Sequence, residues 1–214
     1  MSDKGRKGNL IIVSGPSGAG KSALVSGVLR SLQSIRFSVS YTTREPRGTE
    51  KDGVEYRFVD RDTFRALAGE GAFLEWAEVH NNYYGTRREF VDELLRNGDD
   101  VILDIDVQGA QTIRGKRPDT VSVFVMPPSY EVLRERLHRR SLDAGGVIQK
   151  RLETACREIR SYRDYDYLIV NEVLEASIRE LEAIILGNRC RIASRIEAAQ
   201  SVLDTFGGMD DSNP

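Results

Sequence analysis

A short glycine-rich stretch near the amino end constrains this chain more than any other feature. Residues 15–22 read Gly-Pro-Ser-Gly-Ala-Gly-Lys-Ser and match the pattern G-x-x-x-x-G-K-[ST]. They follow the apolar run at residues 10–13 directly and open a helical pattern over residues 21–33. Glycines let successive backbone N–H groups turn toward one point, and the amino end of a helix adds a partial positive charge. The sequence therefore predicts a strand, a loop that cradles phosphate groups and a helix.

Short runs of branched apolar residues alternate with helical patterns along the chain. The runs cover residues 10–13, 101–103, 121–126 and 167–170. Later helical patterns cover residues 130–140, 147–161 and 175–186. Continuous apolar strands that alternate with helices are typical of a parallel sheet covered on both faces. The pattern predicts an α/β protein with a three-layer α/β/α core.

Two stretches interrupt this alternation. Residues 36–90 are predicted to form short strands at 37–41, 54–58 and 73–76, separated by turns. We interpret them as a small lobe of β-structure inserted into the core. Residues 139–146 are polar and end in two glycines, which is typical of a mobile lid, although composition alone favours an ordinary surface loop.

Charge and cysteine content exclude several classes of protein. Lys plus Arg number 31 against 33 Asp plus Glu, a net charge of −2, which disfavours non-specific nucleic-acid binding. Two cysteines cannot build a disulfide scaffold and favour a reducing compartment, and we expect Cys156 in the core. No apolar run has the length of a secretory signal or a membrane span. We expect a cytoplasmic protein with no nucleic-acid or membrane partner.

The segment after Asn188 carries an apolar seam. Its members are spaced by 4, 3, 4 and 3 residues: Ile192, Ile196, Ala199, Leu203 and Phe206. This spacing predicts a helix with one apolar face. The pattern favours a helix that packs back on its own domain over one that contacts a second copy in a homo-oligomer.

Carboxylates close the second core strand. Asp104 and Asp106 stand at the end of the run that begins at Val101. Ligands bind at the carboxyl ends of strands in open α/β sheets, so Asp104 is placed to hold a water of a Mg²⁺ shell. Lys21 should reach the β- and γ-phosphates of a nucleotide, and the Ser22 hydroxyl should ligate Mg²⁺. Alternatively, Asp104 caps the loop into the next helix.

A series of ordered motifs resembles the guanylate kinase family. Besides residues 15–22, they are Phe-Ser-Val-Ser-Tyr-Thr-Thr-Arg-Glu-Pro-Arg at 37–47, Gly-Val-Glu-Tyr at 53–56, Phe-Leu-Glu-Trp-Ala at 73–77, Asn-Tyr-Tyr-Gly at 82–85, Ile-Leu-Asp-Ile-Asp-Val-Gln-Gly at 102–109, Pro-Pro-Ser at 127–129 and Ile-Val-Asn at 169–171. The resemblance implies a P-loop NTPase fold and transfer of the γ-phosphoryl group of ATP to GMP, and to dGMP as well, with Mg²⁺. It also implies a division into a domain at 8–187, whose core is 8–35, 91–138 and 151–187, a GMP-binding lobe at 36–90 and a lid at 139–150. A carboxyl-terminal helix at 188–207 and flexible ends at 1–7 and 208–214 complete this division.

The resemblance also assigns residues to the two nucleotides. The expected ATP site comprises Gly15, Pro16, Ser17, Gly18, Ala19, Gly20, Lys21, Ser22, Arg136, Arg140 and Asn171. The expected GMP site comprises Ser40, Arg44, Arg47, Tyr56, Glu75, Tyr84, Thr86 and Asp106. The residues expected to act in catalysis are Lys21, Arg44, Arg136, Arg140 and Arg151. Asn171 could instead cap the next helix.

The proposed chemistry suits these residue types. The acceptor phosphate is already ionised at neutral pH, so the site needs cations to stabilise the moving phosphoryl group rather than a general base. Guanidinium groups such as that of Arg44 grip phosphate through two donors. Guanine offers two N–H donors that the carboxylate of Glu75 can accept, although periodicity alone also allows a solvent-facing Glu75. A non-catalytic interaction module with the same fold is the alternative function, but such modules typically lack a residue like Lys21.

Overall fold

The computed structural model describes residues 6–54, 56–79, 81–140 and 145–206, with the side chains of residues 140 and 145–147 excepted. The expected flexible end at 208–214 and part of the expected lid, 141–144, lie outside the described residues. In chain order the elements are β1 (Leu10–Ser14), α1 (Lys21–Ser31), β2 (Ile35–Phe37), β3 (Tyr41–Thr42), β4 (Arg57–Phe58), α2 (Arg61–Gly69), β5 (Phe73–Val79), β6 (Asn82–Arg87), α3 (Arg88–Arg96), β7 (Asp100–Asp104), α4 (Val107–Lys116), β8 (Val121–Met126), α5 (Tyr130–Arg140), α6 (Gly145–Glu158), a 3₁₀ segment (Ile159–Asp164), β9 (Tyr167–Val170), α7 (Leu174–Arg189) and α8 (Ile192–Thr205).

The main sheet is parallel throughout and has the strand order β2-β7-β1-β8-β9. Alternate side chains of β1 lie on opposite faces of this sheet. Ile11 and Val13 join a cluster formed with α1 and α7, whereas Leu10 and Ile12 join a cluster formed with α3 and α4. All four side chains are buried, so β1 lies at the centre of the core. The predicted three-layer α/β/α fold is confirmed.

A second, smaller sheet has the order β4-β3-β6-β5 and mixes parallel with antiparallel pairs. Phe64 of α2 stacks on Phe73 of β5 with ring centroids 4.6 Å apart, which gives this lobe a small aromatic core. The prediction of a single strand over residues 37–41 was wrong. Phe37 ends β2 in the main sheet, opposite Ile102, and Tyr41 begins β3 in the second sheet. The backbone between them leaves the main sheet after Ser38, whose N–H still donates to the carbonyl of Ile102.

Helices α5 and α6 pack on each other through Leu133, Leu137, Ile148, Leu152 and Ala155. The expectation of a core Cys156 is wrong, because this side chain is exposed. The helix already fills its buried face with neighbours such as Ala155, and the next residue turns toward solvent. Cys190 is also free and exposed.

Helix α8 does not pack back on the domain, so the favoured expectation for it was wrong. Ile192 is 84% exposed, and Ile196, Leu203 and Phe206 are each at least 60% exposed. The helix is fastened at its first turn, where Ser194 Oγ makes hydrogen bonds with Asn9 Oδ1 and the carbonyl of Asn188. Its later turns have no buried side chain among the described residues. The apolar seam therefore faces solvent in one copy of the chain.

Arg6 belongs to the stretch that was expected to be flexible, yet its side chain is buried. It donates a 2.6 Å hydrogen bond to Asp100 at the start of β7. None of the helices in the described ranges combines the length and apolar character that crossing a bilayer requires.

Candidate functional site

The glycine-rich loop joins β1 to α1 at the carboxyl edge of the main sheet. Gly15, Gly18 and Gly20 have φ angles of 140°, 86° and 97°, in the region that favours glycine. A Cβ at Gly20 would stand 2.2 Å from Asn171 Nδ2, and one at Gly15 would stand 2.2 Å from the carbonyl of Val125. The tight turn therefore depends on glycine at both positions. Pro16, Ser17 and Ala19 complete the loop.

No side chain caps α1. Its N-cap is Gly20, so the N–H groups of the first turn keep their donor capacity for a ligand. Lys21 Nζ donates to the carbonyls of Gly15, at 2.7 Å, and Pro16, at 3.2 Å. The lysine thus folds back along the loop and holds its ammonium group over the cradle. This geometry fits an anion such as phosphate.

Ser22 and Asp104 meet across the edge of the sheet. Ser22 Oγ donates a 2.7 Å hydrogen bond to Asp104 Oδ2. Asp104 ends β7 in register with Val13, the penultimate residue of β1. The capping role goes to Asp106 instead, whose carboxylate accepts from the N–H of Gly109 at 2.7 Å. The alternative in which Asp104 caps the helix is therefore wrong.

Asn171 and Arg136 support the loop from its other side. Asn171 Nδ2 donates to the carbonyl of Ala19 at 2.8 Å, and Arg136 donates to the carbonyls of Asn171, at 2.9 Å, and Ala19, at 3.4 Å. Asn171 does not cap α7, because the N-cap is Val173. Its Oδ1 is buried without a hydrogen-bond partner in the described structure, so one acceptor remains for a ligand.

A cavity of about 290 Å³ opens beside these two side chains. Its walls are formed by Gly18, Gly20, Ala23, Arg136, Arg139, Asn171, Glu172 and Leu174. The cavity adjoins the phosphate cradle and offers both apolar wall and polar groups. These features suit the base of a nucleotide whose phosphates lie on the loop.

Arg44 lies in the loop after β3. Its guanidinium group donates to both carboxylate oxygens of Glu50, at 2.9 and 3.0 Å, and to the carbonyl of Glu45 at 2.7 Å. The guanidinium carbon also lies 5.2 Å from the ring centre of Tyr56. Tyr84 approaches Tyr56 with ring centroids 5.9 Å apart. Arg44 is therefore held in place by charge on one side and by aromatic rings on the other.

Glu50 is a residue that the sequence reasoning missed. It accepts from the backbone N–H of Arg47 at 2.8 Å in addition to the side chain of Arg44. The signal was present in the sequence, since Glu50 stands three residues after Arg47 and six after Arg44. Such a carboxylate orders the loop that carries both arginines.

One cleft joins the phosphate loop to the second sheet. A cavity of about 350 Å³ has Ser22 and Asp104 on one wall and Ser40, Glu50 and Tyr56 on another. Val25, Ser26, Leu29, Phe37 and Val54 complete its lining. Groups that the sequence assigned to different nucleotides therefore face one space. An anion on the loop and a second ligand in the lobe would meet in this cleft.

Glu75 lies at the inner end of the lobe. The strands β5 and β6 pair Glu75 with Thr86, whose hydroxyl donates to Glu75 Oε1 at 2.6 Å. Glu75 is 6% exposed, so the alternative of a solvent-facing residue is wrong. Gly109 makes room for the carboxylate, because a Cβ there would stand 3.1 Å from Oε2. Burial raises the pKa of Glu75 to about 7; the hydrogen bond from Thr86 opposes this rise and the charge of Asp106 adds to it.

The three arginines around the expected lid lie on α5 and α6. Arg151 lies on α6 and is partly buried, and Arg136 lies on α5 beside the loop. The side chain of Arg140, at the end of α5, is outside the described part of the chain. Arg136 contacts the phosphate loop through the carbonyl of Ala19.

Comparison with known proteins identifies the family. The guanylate kinase family model matches residues 7–187. The guanylate kinase of Aromatoleum aromaticum is 49% identical over 190 residues, which cover 89% of this chain and 93% of that protein. The guanylate kinase of Alkalilimnicola ehrlichii is 50% identical over 185 residues, which cover 86% and 91%. The crystal structure of guanylate kinase from Anaplasma phagocytophilum superposes with a TM-score of 0.75 at 32% identity and covers 95% of this chain and 97% of that one. This chain therefore belongs to the guanylate kinase family.

Proposed function

We propose that this chain catalyses the ATP-dependent phosphorylation of GMP to GDP, with the side chains of the cleft in the roles given below. The observation that carries the proposal is the shared cavity of about 350 Å³ between the phosphate loop and the second sheet. Direct transfer needs the donor and acceptor phosphates in line and in one water-poor space. A cleft with the loop on one wall and the lobe on the other meets that requirement.

The loop and its supports would hold ATP. Backbone N–H groups of the loop and the amino end of α1 bind phosphate oxygens, and Lys21 moves from the loop carbonyls to the β- and γ-phosphates. The unpartnered Oδ1 of Asn171 can accept a hydrogen bond from the amino group of adenine. Arg136 holds the loop and Asn171 in register and adds positive charge near the transferred group.

The second sheet and its loops would bind GMP at its phosphate and at its base. Arg44, Arg47 and the hydroxyls of Tyr56 and Tyr84 bind the phosphate. Burial raises the pKa of Tyr56, so its hydroxyl stays a neutral donor at physiological pH. Since the acceptor oxygen is already ionised, no side chain has to remove a proton from it.

Glu75 would select the base. Its ionised carboxylate accepts hydrogen bonds from N1–H and the amino group of guanine, whereas adenine presents an unprotonated N1 and no such amino group. Thr86 orients the carboxylate, and Ser40 and Asp106 complete the pocket. None of the assigned roles uses the sugar 2′-hydroxyl, so we expect dGMP to be a substrate as well.

Ser22 and Asp104 fit a magnesium site. A hydroxyl and a carboxylate oxygen are the hard donors that Mg²⁺ prefers, and they stand within one hydrogen bond of each other. The described ranges contain no group of three or more His, Cys, Asp or Glu side chains that could hold a metal ion. In this proposal Ser22 binds the ion directly and Asp104 binds it through a water, with nucleotide phosphates as the other ligands. Bound there, the ion would neutralise charge on the phosphates.

The arginines around the lid would complete the site when it closes. Arg136 and Arg151 flank the proposed lid at 139–150, and Arg140 lies within it. Closure of the lobe at 36–90 would exclude water from the cleft. The proposal divides the chain into the core, the lobe at 36–90, the lid at 139–150 and the carboxyl-terminal helix at 188–207. A cytoplasmic location remains a prediction. The alternative of a non-catalytic interaction module is not favoured, because the loop carries Lys21 in a position to bind phosphate.

A coupled assay of diphosphate formation tests the proposal. The chain is mixed with ATP, Mg²⁺ and each of GMP, AMP, CMP and UMP in turn. We expect phosphorylation of GMP to exceed that of the others by about 10⁴-fold or more, the discrimination that sites built on such hydrogen bonds reach. Equal rates with AMP would remove the role given to Glu75, and absence of GDP would contradict the activity itself.

A further inference from the structure

A cavity of about 570 Å³ opens at the end of the main sheet that lies opposite the nucleotide cleft. The first residues of β1, β8 and β9 line it, namely Leu10, Val121 and Tyr167. The phosphate loop lies at the carboxyl ends of the same strands, about 15 Å away at ~3.3 Å per strand residue. None of the roles proposed above for phosphoryl transfer uses this cavity. Its volume falls within the range of roughly 300–1,000 Å³ that is usual for small-molecule sites.

Thr120 gives the wall of this cavity a polar group that the protein does not satisfy. Thr120 is 7% exposed, and its hydroxyl oxygen is buried with no hydrogen-bond partner in the described parts of the chain. By contrast, Asn188 and Ser194 in the same wall already make hydrogen bonds within the protein. A buried hydroxyl without a partner destabilises a fold, and such groups in native structures commonly pair with water or a ligand. The Thr120 hydroxyl is therefore available to a molecule in the cavity.

The amino end of α8 borders the same cavity. Arg191 is the N-cap of this helix, and Ala193 and Ser194 in its first turn line the cavity wall. Among the described residues no side chain caps α8, so the N–H groups of its first turn keep their donor capacity. The 14 residues of α8 also give this end a partial positive charge. The donors and the charge together favour an anionic group beside Ala193.

Charged side chains of both signs line the cavity. The cations are Lys7, Arg117 and Arg191, and the acids are Asp119 and Asp166. Arg191 Nη1 donates to Asn188 Oδ1 at 3.4 Å, which holds the guanidinium group against the cavity wall. Asp166 accepts from the N–H of Ser122 at 2.8 Å, and Asp119 lies 3.6 Å from Lys7 Nζ. The carboxylates keep further lone pairs that can accept from hydroxyl groups. The wall therefore suits a ligand that combines an oxyanion with several hydroxyls.

We propose that this cavity is a second ligand site and that it binds the phosphate ester of a sugar. The phosphate lies at the amino end of α8 beside Arg191, and the sugar hydroxyls meet Thr120 and the carboxylates of Asp119 and Asp166. Most of the lining residues are polar or charged, which disfavours a lipid. A pentose phosphate occurs both as a free sugar phosphate and within nucleotides, and the experiment below separates these two sources. Because the nucleotide cleft is at the other end of the sheet, both sites can be occupied together.

NMR of the full chain with its nucleotide cleft filled tests the proposal. The ¹⁵N-labelled protein is saturated with GMP and ADP, and ribose 5-phosphate is then added. We expect saturable shifts of the backbone N–H signals of Thr120, Ala193 and Ser194, with a dissociation constant on the order of millimolar or lower. Cytidine monophosphate is the second probe: tighter binding than ribose 5-phosphate at these three signals identifies a nucleotide as the source, and weaker binding identifies a free sugar phosphate. If neither probe shifts these signals, the proposal is overturned.

Thr120→Val separates binding from folding. The variant should bind ribose 5-phosphate about tenfold more weakly, because it loses a hydrogen bond to the ligand. It should resist urea at least as well as the parent chain, since a methyl group replaces an unpaired buried hydroxyl. Thr112→Val is the matched control: this threonine is exposed on α4, its hydroxyl donates to the carbonyl of Gln108, and its loss should leave the affinity unchanged. GMP phosphorylation should keep its parental rate in Thr120→Val, and parental affinity for ribose 5-phosphate in this variant would overturn the proposal.

Discussion

The hydroxyl of Thr86 donates a 2.6 Å hydrogen bond to Oε1 of Glu75, and both side chains are buried between β5, β6 and the start of α4. The bond fixes the orientation of the carboxylate, while Gly109 leaves room beside Oε2. Burial outweighs the hydrogen bond and raises the pKa of Glu75 to about 7. In the nucleotide-free protein a substantial fraction of Glu75 is therefore protonated at neutral pH.

The affinity for GMP should depend on pH through this carboxylate. Guanine needs the ionised form, so GMP binding must displace the proton from Glu75 below about pH 7. We expect the dissociation constant of GMP to rise with each pH unit below 7, by up to about tenfold per unit. Isothermal titration calorimetry between pH 5.5 and 8.5 in buffers of different ionisation enthalpy measures both the affinity and the released proton.

Glu75→Gln is the control, because the phosphate of GMP also titrates near pH 6. The variant should bind GMP more weakly and retain only the phosphate part of the pH profile. Burial also links Glu75 to the stability of the fold. Because the pKa of Glu75 is raised from its ordinary value of 4.5 to about 7, the nucleotide-free protein loses folding stability as the pH rises from 4.5 through 7. The variant should therefore be more resistant to urea than the parent chain at pH 8. Identical pH profiles for both proteins would contradict the assignment.

Lys21 should act on phosphoryl transfer rather than on GMP. Its ammonium group lies over the phosphate cradle, held by the carbonyls of Gly15 and Pro16. We expect Lys21→Ala to lower kcat by at least about 10²-fold, the scale of other preorganised charge contacts, while the dissociation constant of GMP changes little. Lys7→Ala is the matched control, since Lys7 is exposed and pairs with Asp119 at the other end of the sheet. A large loss of GMP affinity in Lys21→Ala would mean that the two nucleotide sites are interchanged.

Glu50 should matter for GMP because it positions the arginines. Its carboxylate holds the guanidinium group of Arg44 and the backbone of Arg47. We expect Glu50→Gln to raise KM for GMP about tenfold with a smaller effect on kcat, in line with the loss of one or two charge-assisted hydrogen bonds. Asp52→Asn, on the same loop but paired with the exposed Arg57, should change neither constant. Tighter binding of GMP in Glu50→Gln would show that Glu50 competes with the phosphate instead.

Most of the fold and part of the site could be predicted from the sequence. The phosphate loop is a local feature whose glycines and flanking strand are contiguous, so its position at the sheet edge follows from residues 10–22 alone. The parallel sheet follows similarly from buried apolar runs. Asp104 and Ser22 are 82 residues apart in the sequence. The rule that ligands bind at the carboxyl ends of strands nevertheless predicts that both lie at one site.

Features that depend on tertiary contacts could not be predicted from the sequence. Glu50 looked like any charged loop residue, because its role comes from the fold of the loop around it. The amphipathic seam of α8 predicted a helix correctly but could not show which surface covers it. The division of residues 35–42 between two sheets also requires knowledge of strand partners. In each case the local pattern was compatible with more than one environment.

Gly20 should tolerate no side chain. A Cβ there would overlap Asn171 Nδ2, and its φ of 97° strains any other residue. We expect Gly20→Ala to displace Asn171 and to weaken ATP binding by about tenfold or more, with a loss of about 1–3 kcal/mol in stability. Gly115→Ala is the control, because a Cβ at this exposed position of α4 meets nothing within 4 Å and should stabilise the helix by about 0.5–1 kcal/mol. Unaltered ATP affinity in Gly20→Ala would contradict the role of the loop–Asn171 contact.

Asp100 should be decisive for stability but not for catalysis. Its fully buried carboxylate accepts hydrogen bonds from Arg6, from the backbone and side chain of Asn9, and from Arg189, so it ties the amino-terminal segment and the end of α7 to β7. Asp100→Asn keeps the size of the side chain but leaves two guanidinium groups without their anion. Breaking one partner of a buried ionic group costs about 3–5 kcal/mol. Asp99→Asn, which affects the partly exposed pair with Arg36, should cost less than about 1 kcal/mol. Urea unfolding measures both values. Because Asp100 lies at the opposite end of β7 from Asp104, kcat below the unfolding transition should stay at the parental value, and an Asp100→Asn variant as stable as the parent chain would contradict this account of the network.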